Sequence, residues 1–303
     1  MTSDARSDRL PARVLPLLYF GFARFCFGAA FLFLAIRSDA LVGFFYHPQI
    51  IAVVHLVTLG WITSSILGAM YLVGPLALRM SMPAGRIDYS AFVFFALGVL
   101  GMVGHFCLDT YPGMLWSAGI LLLGVALVTG RVLTALASAG LPLAVKSHIG
   151  FAFLNMLAAG VFGFLVGLEK VDVYVLPGFV LDSVYAHVHI TALGWATMMV
   201  VGIGYRLFPM FLPSAMPSGS GVWASALLLE AGALGLFVSL MASSRSTGLW
   251  ALVAVSGLVA FFWQVAGCSG IRDRPPRTCG DRTSEWGTRL PHSFTSPAPP
   301  FWD

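Results

Sequence analysis

Apolar windows of about 20 residues, the length needed to cross the hydrocarbon core of a bilayer, recur about eight times along this chain. They lie near residues 15–36, 50–75, 90–108, 114–135, 144–168, 185–211, 221–242 and 247–267. Windows of that length are read as membrane helices, so the expected fold is all-α: a polytopic transmembrane helix bundle. The first window is read as a helix and not as a cleaved leader, because it is long, carries Arg24 and lacks a small-residue cleavage site. Only 10% of the 303 residues are charged, against about 25% in a soluble domain. The mean hydropathy of +0.87 agrees. The net charge of +4 therefore belongs to loops and tails. Membrane lipid is the expected partner, and nucleic acid is not. The four cysteines, Cys26, Cys107, Cys268 and Cys279, form no Cys-x-x-Cys pair and read as buried free thiols.

Turn and breaker residues separate the windows: Ser38-Asp39, Met82-Pro83-Ala84-Gly85, Tyr111-Pro112-Gly113, Leu141-Pro142, Leu176-Pro177-Gly178 and Met216-Pro217-Ser218-Gly219. Basic residues set the expected orientation. With the N-terminus inside, the inner segments hold Arg6, Arg9, Arg13, Arg79, Arg86, Arg131, Lys146, Arg206, Arg272, Arg274, Arg277, Arg282 and Arg289, and the outer loops hold only Arg37, Lys170 and Arg245. Both termini are expected in the cytoplasm, in a membrane of the bacterial inner (plasma) type.

The chain also repeats itself. Shifted by 134 residues, the second window lies on the sixth. His55 meets His189, Leu59-Gly60-Trp61 meets Leu193-Gly194-Trp195, and Thr63 meets Thr197. Gly68 meets Gly202, Tyr71 meets Tyr205 and Pro75 meets Pro209. The fifth window opens Leu141-Pro142-Leu143 and the first Leu15-Pro16-Leu17. The offset spans an even number of helices, so the repeat is parallel. The expected organisation is a short inner segment (1–14), two four-helix units (15–140 and 141–268) and a basic, Pro-rich tail (269–303). The tail has no apolar period and reads as disordered. It begins where a further four-helix unit would follow, the pattern of a truncated or frame-shifted relative of a longer protein.

The candidate chemistry is histidine chemistry. His187 and His189 sit one residue apart in an apolar run. On a helix, positions i and i+2 lie about 200° apart, so the two imidazoles serve separate partners on opposite sides. With the orientation above, His55, His105, His187 and His189 fall toward the outer ends of their helices. His105 is either a metal ligand or an interhelical hydrogen-bond partner. His47, before Pro48, is either a metal ligand or a helix cap. His148, beside Lys146, reads as interfacial. Gly60, Gly68, Gly194 and Gly202 allow close helix approach, and Trp61 and Trp195 either sit at the interface or stack on a bound group. Two charges fall inside apolar windows, Arg24 and Glu230; such charges are paired or functional.

The run His187-Val188-His189, then Leu193-Gly194-Trp195, Gly202, Tyr205 and Pro209, resembles the cofactor helix of the haem–copper oxidase superfamily. It is most similar to subunit I of cytochrome c oxidases of the cbb type and to the NnrS-like haem–copper membrane proteins. The resemblance implies a haem-binding membrane protein in respiratory electron transfer, or in binding or reduction of oxygen or nitric oxide. It implies an oxidoreductase with b-type haem, and copper as a second metal. In its terms His55 and His189 clamp a low-spin haem and His187 faces an open-site haem; Arg24 either meets a haem propionate or pairs with Glu230. The copper motif is incomplete: no adjacent His-His pair occurs, and His47-Pro48-Gln49-Ile50 matches His-Pro-x-Val-Tyr only in part. No Cys-x-x-Cys-His is present, so electrons would come from a partner cytochrome or a quinol. The other reading is a haem-free transporter or sensor whose histidines carry protons or metal ions.

Overall fold

The computed structural model describes residues 13–38, 42–212 and 214–270; the 1–12 segment and the tail beyond 270 lie outside the described residues. Among those described, eight helices are long and apolar enough to span a membrane. In chain order they are α1 (Val14–Ile36), α2 (Pro48–Leu76), α3 (Arg86–Cys107), α4 (Tyr111–Ala137), α5 (Leu143–Leu168), α6 (Val180–Phe211), α7 (Ser220–Met241) and α8 (Thr247–Gly270). The protein is an integral, multi-pass membrane protein.

Local chemistry explains the helix ends. Pro48 and Pro112 stand in the first turns of α2 and α4, where a missing N–H costs nothing. α3 begins before its apolar window because Gly85 N–H donates to Asp88 Oδ2 at 2.8 Å, closing its first turn. Asp109 and Asp172 take left-handed backbone conformations (φ 54° and 59°) that end helical runs, which a short polar side chain tolerates.

Glycines set the closest helix approaches, and the approaches occur twice. A methyl on Gly98 of α3 would lie 2.5 Å from the Leu121 backbone of α4, and one on Gly124 would lie 2.6 Å from the Phe95 backbone. In the second half, Gly232 of α7 meets the Ala254 backbone of α8 at 2.5 Å, and Gly257 meets Leu229 at 2.7 Å. Gly60 packs on Cys26 and Gly68 on Tyr19 where α2 crosses α1; Gly194 packs on Asn155 and Gly202 on His148 where α6 crosses α5. Each of these glycine contacts of the first half thus has its counterpart in the second. The contacts also correct a register: Tyr19 corresponds to His148 and Cys26 to Asn155. This pairing stands three residues away from the one suggested by the two Leu-Pro-Leu runs.

One end of each half is built on these equivalences. In the first, Tyr19 stacks on Tyr71 (6.0 Å). Tyr71 Oη donates to Asp88 Oδ1 at 2.8 Å, and Arg131 Nε donates to the same oxygen at 3.2 Å. In the second, His148 takes the place of Tyr19 beside Tyr205, ring centroids 5.3 Å apart. His148 Nδ1–H donates to Ala144 O at 2.8 Å, and Nε2 faces Ser225 Oγ at 3.4 Å. Gln264 donates to Tyr205 Oη at 2.9 Å. His148 is fully buried. It is therefore a core histidine and not an interfacial one, because Gly202 lets α6 close over it.

Candidate functional site

The paired histidines of the repeat sit at paired irregularities. Immediately after His55, residues Leu56–Thr63 of α2 form a π-helical segment; immediately after His189, residues Ile190–Thr197 of α6 form another. The two segments are equal in length and 134 residues apart, so the repeat extends to a backbone form that is rare and concentrates at functional sites. Each histidine is fixed by the turn before its segment. His55 Nδ1–H donates to Ile51 O at 2.8 Å, and His189 Nδ1–H donates to Tyr185 O at 2.8 Å. A carbonyl only accepts, so the proton is on Nδ1 and the Nε2 lone pair is left for another partner. That is the tautomer of a metal-ligating histidine whose far nitrogen is oriented by backbone. The His55 ring also stacks on Phe106 of α3 (5.7 Å, 24°).

His187 differs from both. Its ring lies over Gly163 of α5, where a methyl would come 2.7 Å from Cε1. Phe162 flanks it at 6.5 Å. Its buried Nδ1 makes no hydrogen bond of full geometry among the described residues, although it faces the Ala159 carbonyl of α5.

The remaining candidates divide. His105 is half-buried at the end of α3, its Nδ1 2.6 Å from Thr110 Oγ1 and its ring against Gly113. His47 caps α2, its Nδ1 accepting from Gln49 N–H at 3.4 Å. Arg24 is exposed on the outward side of α1 and does not pair with Glu230. Glu230 of α7 instead accepts from Asn155 Nδ2 at 2.8 Å, and the same amide nitrogen donates to Gly194 O at 3.2 Å. Asn155 thus supports a carbonyl inside the α6 π segment. A lone Asn in an apolar helix was the signal in the sequence for this residue. Among the described residues no three His, Cys, Asp or Glu side chains converge as a chelating cluster.

The two tryptophans part company. Trp195 is buried and its Nε1–H donates to Thr63 Oγ1 at 3.1 Å, tying one π segment to the other. Trp61 is 38% exposed and packs on Phe27 at 4.2 Å. The acids near the helix ends are partly engaged: Ser243 Oγ donates to Asp182 at 2.7 Å, and Tyr111 and Tyr174 donate to Asp109 and Asp172. Lys170 stands 4.0 Å over the Tyr46 ring. The chain matches no known family model and no curated protein.

Proposed function

We propose that this membrane protein binds haem through His55, His187 and His189 and acts in respiratory electron transfer or in binding oxygen or nitric oxide, as its resemblance to the haem–copper oxidase superfamily implies. The observation that carries the reading is the matched pair of π segments, each preceded by a histidine whose Nδ1–H is committed to backbone. The residues fit the group: the Nε2 lone pairs left free on His55 of α2 and His189 of α6 suit axial ligands from two helices, and the buried His187 offers a third imidazole on α6. Bound haem would supply one-electron chemistry and an open iron position for a gas. Without a Cys-x-x-Cys-His the haem would be held non-covalently, in keeping with the b type. Arg24 faces away from the bundle, so the site is assigned to the three histidines. A cytochrome or quinol would donate electrons, and the chain would sit in a bacterial-type inner membrane with both termini in the cytoplasm; a C-terminal reporter tests that orientation.

A second reading rests on a specific observation. The irregular α6 segment, with Asn155 and Glu230 gathered at Gly194, is the kind of interrupted helix that transporters use at a binding site. The spectrum of the purified protein, oxidised and reduced, decides between the two. Haem binding predicts a Soret band. His55→Ala and His189→Ala each remove its low-spin component, and His187→Ala spares that component while abolishing carbon monoxide binding. A colourless protein after expression with ample haem overturns the haem reading in favour of proton or ion transport.

A further inference from the structure

The two halves of the chain meet through unlike surfaces. From the first half comes α4, with Leu122 against Gly160 and Leu115 against Gly167 of α5, together with Thr63 of α2. From the second half come α5 and Trp195 of α6, which donates to Thr63; Phe153 packs edge-on to Trp195 at 5.2 Å. Phe153, Met156 and Trp195 are all buried by this contact and by their own half. Such a contact is heterologous: the surface used by one half is not the surface used by the other.

Each half therefore retains the surface its counterpart has used. By the packing equivalences described above, Phe153, Met156, Gly160 and Trp195 correspond to Arg24, Phe27, Phe31 and Trp61 of the first half. Arg24, Phe31 and Trp61 are exposed, and the Trp61 indole N–H has no acceptor among the described residues. Leu122 and Thr63 correspond in turn to Val255 of α8 and Thr197 of α6. Val255 is exposed. Thr197 Oγ1 donates to Ala192 O at 2.8 Å, which leaves its lone pairs for an indole N–H. The chain carries both unused halves of an interface it already makes once internally.

Exposed Phe and Val would suit lipid. Arg24 does not. It stands ten residues into α1, roughly 15 Å along the helix and so near the middle of a core about 30 Å thick. A charge at that depth belongs against protein and not against lipid tails. The register of the internal contact places it opposite Phe262 and Trp263, both exposed on α8, whose ring faces can receive a guanidinium.

We propose that copies of this chain associate head to tail in the membrane, α8 of one against α1 of the next, in the register of the internal α4–α5 contact. Trp61 of one copy then donates to Thr197 of its neighbour. A heterologous contact closes only as a ring, and two copies make the smallest ring. The test is disulfide cross-linking in native membranes, in full-length chains whose four native cysteines are replaced by alanine. One tagged copy carries Phe31→Cys and a differently tagged copy carries Val255→Cys. The expected result is a cross-linked product containing both tags, with little or no product between two Phe31→Cys copies or two Val255→Cys copies. Leu122→Cys with Gly160→Cys in one chain is the positive control, since that contact is internal. If the control links while the mixed pair gives nothing, or gives only same-residue products, the head-to-tail contact is refuted; lipid, or a different membrane protein, then covers these faces.

Discussion

Replacing Asn155 by leucine tests whether the polar support behind the α6 π segment holds the bundle together. The substitution nearly conserves volume and deletes two hydrogen bonds, Nδ2 to Glu230 Oε2 at 2.8 Å and Nδ2 to Gly194 O at 3.2 Å. Hydrogen bonds between membrane helices average about 0.6 kcal/mol and reach about 1.7 kcal/mol. The short bond to a carboxyl oxygen belongs near the upper value and the longer one near the mean, so Asn155→Leu should cost about 2 kcal/mol. That is a shift of roughly thirtyfold in the unfolding equilibrium, at about 1.4 kcal/mol per factor of ten. The assay is reversible unfolding in mixed micelles, run as a double-mutant cycle with Glu230→Leu. Only the Asn155–Glu230 bond is shared by the two changes, so the coupling should be about 1–1.5 kcal/mol, with the rest of the Asn155→Leu cost surviving in the Glu230→Leu background. Additivity within about 0.3 kcal/mol would show that the pair contributes nothing net, and would refute the assignment of Asn155 as the support of Glu230.

Three further outcomes are expected. Gly163→Ala puts a methyl 2.7 Å from His187 Cε1, so the ring must turn away; gas binding measured by the carbon monoxide difference spectrum should fall while thermal stability stays within about 1 kcal/mol, because only a side chain has to move. Arg131→Met strips the cation from Asp88, whose side chain is 3% exposed, and should cost about 3 kcal/mol in unfolding experiments, with Arg131→Lys recovering part of it. Tyr46, in the loop before α2, has its phenol pushed up to about 12 by burial and by the nearby Glu169. The unfolded chain ionises this group first, near 10, so its contribution to stability is whole below pH 10 and is lost as pH rises toward 12; ultraviolet difference titration of wild type against Tyr46→Phe should show a phenolate step near pH 12, and a step near 10 would contradict the buried setting.

Eight apolar windows, their breakers and the 134-residue echo between α2 and α6 were legible without coordinates. Each is a local property, set by side-chain transfer into lipid and by turn chemistry over a few residues. The pairing of His55 with His189 followed from the same echo. The roles of neighbouring residues did not, since they depend on what lies across a helix interface. His148 carries the same local signals as an interfacial histidine, yet Gly202 and Ser225 enclose it. Arg24 and Glu230 are opposite charges at similar depth, yet α1 turns one outward while Asn155 claims the other. Trp61 and Trp195 share a motif, yet one is buried against Thr63 and the other is left on the surface. Equal sequences in the two halves acquire unequal environments because the halves meet through unlike faces. Periodicity and composition determine which segments cross the membrane and which residues repeat; only the packing of one half on the other decides which copy of each residue is enclosed, paired or left open.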